Sequence, residues 1–212
     1  MELKEIINFI ANLGNIILVI NIFLFFKSYR KKTVAFKIIA FYLLYVLVIQ
    51  LSMSYLNSRK IPNLYFTHFY FIGQIIFLSF FFLREFKNIL LSNIIKIYLV
   101  LVLVSLGIYY SFLPETFFKH NIFEVLITSI PLIVYSFIFL IRRLDSSNKK
   151  FIYLNSGLFL YILCSTLIFI AGNLKSDIKL IIWLFNASLY IVYQLLISLE
   201  WYKNFRLKKL KS

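Results

Sequence analysis

The chain has 212 residues, 62% of them hydrophobic, 20% aromatic and only 15% charged. Soluble domains carry about 45–50% apolar and about 25% charged residues, so this composition excludes a soluble globular protein and indicates an integral membrane one. The formal net charge of +15 would suit a nucleic acid or an anionic surface, but its distribution ties most of it to membrane topology.

Seven apolar runs follow one another at 6–26, 34–56, 63–83, 94–113, 121–141, 151–171 and 179–200. About 20 residues of helix cover the ~30 Å hydrocarbon core, and only helices or closed barrels satisfy their backbone there. The reading is an all-α, seven-transmembrane helix bundle, with residues 1–212 forming a single transmembrane domain. The first run reads as a retained span and not as a cleavable signal. It opens on Glu2, Lys4 and Glu5, is too long for a signal core and ends without a small-residue cleavage site. Asn8, Asn12 and Asn15 share one of its faces. The second run closes on Gln50, Ser54 and Asn57.

The third run carries Asn63, Thr67, Tyr70 and Gln74, spaced 4, 3 and 4 apart, with His68 beside them. That spacing makes one helical face, and unpaired polar groups are costly in hydrocarbon. The stripe predicts a central helix with this face turned inward. The fourth run has Tyr109 and Tyr110 near its end; the fifth repeats the 4, 3, 4 spacing with Glu124, Thr128, Pro131 and Tyr135. Pro131 predicts a bend near Ile127, with Thr128 and Ser129 at hand for the freed carbonyl. The sixth run has Asn155, Tyr161, Cys164 and Ser165, and the seventh has Asn186, Tyr190, Tyr193 and Gln194.

Short loops rich in Lys and Arg face the cytoplasm. Seventeen of the 23 basic residues fall on the ends that hold Lys27–Lys37, Arg84–Lys96, Arg142–Lys150 and Lys203–Lys211, and 6 fall on the opposite ends. This places the N-terminus outside and the C-terminus in the cytoplasm, in the cell inner membrane. Topology alone then accounts for most of the charge, and a nucleic-acid site is disfavoured. The tail cations Arg206, Lys208, Lys209 and Lys211 follow Trp201 and Tyr202. They suit contact with anionic lipid or a partner's acidic surface.

Intramembrane polar residues are the functional signal in such a chain. Most lie in the predicted outer half, which implies a polar cavity open outward above a drier cytoplasmic half. His68, Gln74, Glu124 and Asn186 are the candidate ligand-binding residues. A contact between His68 and Glu124 would make a proton-sensitive or ligand-anchoring pair. The plainer alternative is interhelical hydrogen bonding, worth ~0.6 kcal/mol on average.

Inventory argues against catalysis. Two histidines exclude a three-His zinc site, and the single Cys164 allows no internal disulfide. The last span has no lysine between Lys179 and Lys203 for a retinal Schiff base, and both Asp145 and Asp177 lie in loops. No GxSxG turn or phosphate-binding glycine loop occurs. No enzyme activity, metal or cofactor is expected.

Asn155-Ser-Gly157 with Tyr161, then Trp183, Asn186, Tyr193 and Trp201, resemble the closing helices of bacterial seven-transmembrane sensor modules. These are the membrane half of some sensor histidine kinases and also free-standing proteins. The resemblance covers about residues 154–201. It implies detection of an external or membrane signal and transmission to a cytoplasmic partner. The sequence runs about ten residues past the last span, so no kinase is expected and output would pass to a separate protein. The leading expectation is a non-enzymatic sensor or accessory protein. A membrane effector of a bacterial antiviral defence system, such as a CRISPR accessory, is the alternative, either as a homo-oligomer or as a pore. A small-molecule transporter is the third.

Overall fold

A computed structural model describes residues 3–171 and 178–206, and among these residues all regular structure is helical. Seven α-helices are long and apolar enough to cross a bilayer. They are α1 (Leu3–Lys27), α2 (Val34–Ser58), α3 (Phe66–Glu85), α4 (Ile89–Phe112), α5 (Ile122–Leu144), α6 (Ile152–Ala171) and α7 (Ile178–Glu200). The expected seven-helix membrane fold is present. The tail cations Lys208, Lys209 and Lys211 lie outside the described residues.

Local chemistry sets the helix starts. The Thr33 hydroxyl accepts the Phe36 N–H at the start of α2. Asn88 accepts the Leu91 N–H at 3.1 Å, and Asn121 the Glu124 N–H at 3.2 Å. These side chains satisfy amides that the first helical turn leaves open. Asn88 therefore starts α4 well before its most apolar stretch. The third helix starts later than the apolar run that contains it. Lys60 has φ 58°, Pro62 follows, and Asn63 stands in the loop, donating to the Met53 carbonyl at 2.9 Å. Asn63 thus secures the α2–α3 turn and is not the first member of a helical stripe.

Six helices close a ring in the order α1, α2, α3, α5, α6, α7, with α7 packed back on α1. The third helix is therefore one stave of this wall and not a central helix. Pairings along the seams give the directions. Asn21 meets Gln194 and Ser28 meets Trp201, so α1 and α7 run the same way. His68 meets Glu124 and Glu85 meets Arg143, so α3 and α5 do too. Gln74 of α3 meets Tyr42 of α2 while Asn63, just before α3, meets Met53, so these helices are antiparallel. One end of the ring thus holds the start of α1, and the other holds the end of α7.

The fourth helix lies outside the ring, mainly against α3. It buries only a narrow stripe: Ile95, Leu99, Val102 and Leu106. Two tyrosine hydroxyls attach it. Tyr98 donates to the Ile127 carbonyl at 3.1 Å, which is the acceptor that Pro131 frees in α5. Thr128 instead donates to Glu124 and Val125 of its own helix. The proline's missing bond is therefore answered from α4, and not by Thr128 or Ser129.

Toward the α7 end, phenylalanines fill the ring. Phe36 lies 4.7 Å, centroid to centroid, from both Phe25 and Phe205; Phe151 lies 4.9 Å from Phe205 and 5.2 Å from Phe81. All are buried. Glu200, fully buried, accepts the amides of Phe151 at 2.6 Å, Tyr153 at 3.0 Å and Leu154 at 3.4 Å. A carboxylate at the end of α7 thus caps the start of α6, where amides and helix dipole favour negative charge. A single π-helical turn, Trp201–Phe205, continues α7, and Lys32 donates to the Phe205 carbonyl at 3.0 Å.

Candidate functional site

In the half of the ring nearest the start of α1, the helices stand around a cavity of about 240 Å³. All six ring helices contribute to its wall, among them Asn15 from α1, Gln50 from α2, Gln74 from α3, Ser129 from α5, Tyr161 from α6 and Asn186 from α7; α4 contributes none. The spacing that marks a polar face in the sequence is what turns these side chains inward. Thr67, Tyr70 and Gln74 lie one turn apart and all line the cavity. Of the asparagine face on α1, only Asn15 does, while Asn8 and Asn12 are exposed.

Tyrosines form the floor. Gln74 donates to Tyr42 at 3.2 Å and to Tyr70 at 3.1 Å. The Tyr161 ring stacks on Tyr193 at 5.4 Å and leans on Tyr190 at 5.8 Å. Close helix approach makes room for these rings. A Cβ on Gly14 would stand 2.6 Å from the Tyr190 ring, and one on Gly157 would stand 3.0 Å from Tyr193. Gly73 sits tighter still under Tyr45. With five glycines in the chain, glycine-mediated packing looks sparse on paper. Three of the four described glycines nonetheless carry tyrosine contacts at helix seams.

Below the floor, polar side chains find partners across seams. Asn21 donates to Gln194 Oε1 at 3.0 Å and accepts from Ser198 at 2.7 Å. Ser136 donates to Asn155 Oδ1 at 2.8 Å, and Asn155 returns a bond to the Ser136 carbonyl at 2.8 Å. These residues act as interhelical ties. The wall differs: the Asn15 Oδ1, Asn186 Oδ1 and Tyr190 hydroxyl oxygens are buried and make no hydrogen bond among the described residues. Unpaired buried polar atoms are uncommon in native proteins, and three of the six among the described residues stand on the α1–α7 side of this cavity; the others are His68 Nε2, Ser79 Oγ and Glu124 Oε1.

The four sequence-singled residues fall in two places. Gln74 and Asn186 line the cavity. His68 and Glu124 do not; they meet each other where α3, α5 and α4 join, each about 1% exposed. The Tyr110 hydroxyl of α4 lies 2.9 Å from both His68 Nδ1 and Glu124 Oε2, and Asn121 donates to that hydroxyl at 3.1 Å. Phe117 covers His68 at 5.0 Å. Of the tail residues, Arg206 is described, and its guanidinium lies 5.1 Å from the Tyr202 ring centre.

Sequence reasoning missed Asn21, Tyr42, Tyr98 and Glu200. A tyrosine in mid-span is an amphipathic side chain that needs a partner for its hydroxyl, and that was the available signal for Tyr42 and Tyr98. No described group of three or more His, Cys, Asp or Glu could hold a metal ion.

Fold and site together define a multi-pass membrane protein: a six-helix ring with an uncharged cavity at one end, an aromatic seal at the other and a seventh helix outside. No protein-family model, no curated protein and no solved structure matches the chain.

Proposed function

We propose that this protein is a non-enzymatic membrane sensor that receives a small ligand in the cavity and acts on a separate cytoplasmic partner through its basic end. The observation that carries this reading is the asymmetry of the ring. A cavity with unpaired polar atoms occupies one half, and packed phenylalanines close the other. A through-pore or carrier needs a polar route past Phe36, Phe81, Phe151 and Phe205, so the arrangement favours a receptor over a transporter. The Lys/Arg bias puts the cavity end outside, within reach of an external signal. Helices α1, α6 and α7 run from the cavity wall to the opposite end, where Glu200, Lys32 and Phe205 lock their termini together. They are the elements through which occupancy would reach a partner.

The test uses the full chain in lipid nanodiscs. Ala187 lines the cavity, and Ala187→Phe fills it in place of a ligand. Hydrogen exchange at the amides of Phe151, Tyr153 and Leu154, which Glu200 caps at the far end, is expected to change severalfold. Unchanged exchange there, in a folded variant, would remove the coupling that a sensor requires. Tags on both termini found on the same side of the membrane would remove the orientation.

A further inference from the structure

The cavity wall also restricts its occupant. Among the described residues, no Asp, Glu, Lys, Arg or His lines it. Glu124, the acid singled out within a span, is committed to His68 and Tyr110. An anion would therefore lose its water without a counter-charge from the described wall. A cation would find the aromatic residues Tyr70, Tyr161 and Trp183 in the wall, but the attraction of such rings is smaller than the cost of burying an unpaired ion.

Size and polarity narrow the class further. About 240 Å³ falls below the ~300–1,000 Å³ of pockets that take drug-sized ligands. That fits a compact molecule of about one ring. Phe71, Phe169 and Trp183 offer apolar surface for its body. Along α1 and α7 stand the atoms without partners: the hydroxyl of Tyr190, a residue only 8% exposed, and the carboxamide oxygens of Asn15 and Asn186. The Gln74 carboxamide donates to two tyrosines, so its amide hydrogens are already placed. A ligand's hydrogen-bonding group would turn toward the α1–α7 seam.

We infer that the cavity binds a small uncharged molecule with a compact apolar body and one hydrogen-bonding group, such as a carboxamide or hydroxyl, held at Asn15, Asn186 and Tyr190. This inference rests on the receptor reading above and names its ligand class.

The chain's two tryptophans lend themselves to the test. Trp183 is on the cavity wall, and Trp201 is at the far end, bonded to Ser28 at 3.1 Å. In a Trp201→Phe background, Trp183 fluorescence reports on the cavity alone. Three non-fluorescent probes of nearly equal size would be titrated into nanodiscs: cyclohexanecarboxamide, cyclohexanecarboxylate and cyclohexylmethylammonium. The carboxamide is expected to bind at least ~10-fold tighter than either ion. Tyr190→Phe, which removes one oxygen and keeps the ring, is expected to weaken it ~3- to 10-fold. Asn186→Leu should weaken it at least as much. Either ion binding as tightly as the carboxamide would overturn the ligand class and leave the cavity reading standing. Unaltered affinity in both variants would overturn the assigned residues. No response to any of the three would overturn the cavity as a ligand site and the receptor reading with it.

Discussion

The two halves of the ring are built from the same helices by opposite means. At the α7 end, large rings interlock: Phe36 sits 4.7 Å from two neighbouring rings and is fully buried. At the α1 end, the same helices stand around a cavity and leave oxygens of Asn15, Asn186 and Tyr190 without partners. In a bilayer, apolar burial does not separate protein from surroundings, so packing and interhelical hydrogen bonds supply the stability. The contrast therefore divides labour. The phenylalanine half holds the bundle together, and the tyrosine half keeps polar groups available.

That division can be broken or sharpened by graded substitutions, each read by unfolding of the protein in micelles or bilayers. The largest effect is expected for Phe36→Ala, about 3–5 kcal/mol, because the hole opens within close-packed rings. A loss below about 1 kcal/mol would show that the seal is loose and the comparison misplaced. Next comes Glu200→Ala, about 2 kcal/mol, since it strips a buried cap from the Phe151, Tyr153 and Leu154 amides. Hydrogen exchange should rise at those amides first.

Tyr98→Phe should cost about 1 kcal/mol and loosen α4 specifically, because it removes the donor to the Ile127 carbonyl. Cysteine accessibility along α4 would report that loosening; an unmoved α4 would mean that its apolar stripe alone holds it. The smallest effect is expected in the other half. Ser165→Ala at the cavity wall should stay within about 0.5 kcal/mol, as its hydroxyl serves only its own helix. A cost matching that of Phe36→Ala would erase the distinction between the halves.

Much of this was legible beforehand. On the third run, the spacing of Thr67, Tyr70 and Gln74 marked an inward face, since a helix repeats its face at those intervals. Thr67, Tyr70 and Gln74 indeed line the cavity. The stripe of the fifth run, Glu124, Thr128, Pro131 and Tyr135, is buried but lines no part of the cavity, where Ser129 stands instead. The pairing of His68 with Glu124 was readable from two costly side chains at similar depth. Their position was not: depth along a helix says nothing of which neighbour a side chain meets. The pair therefore joins α3 and α5 to Tyr110 of α4 instead of facing the cavity. The role of Glu200 was equally hidden. It occupies the end of one span, and the amides it caps open another, more than forty residues away in sequence.

By itself, then, the sequence determined how many helices could cross and about where along the chain each would lie. The reason is that the hydrocarbon thickness and the demand for satisfied backbone groups act on every segment separately. Which helices would become neighbours was decided only in three dimensions. A lipid-facing leucine and a helix-facing leucine are chemically alike, so apolar pattern does not tell wall from outrider. The placing of α4 outside the ring, the closing of α1 on α7 and the gathering of three unpaired oxygens at that seam came from how side chains fit between helices.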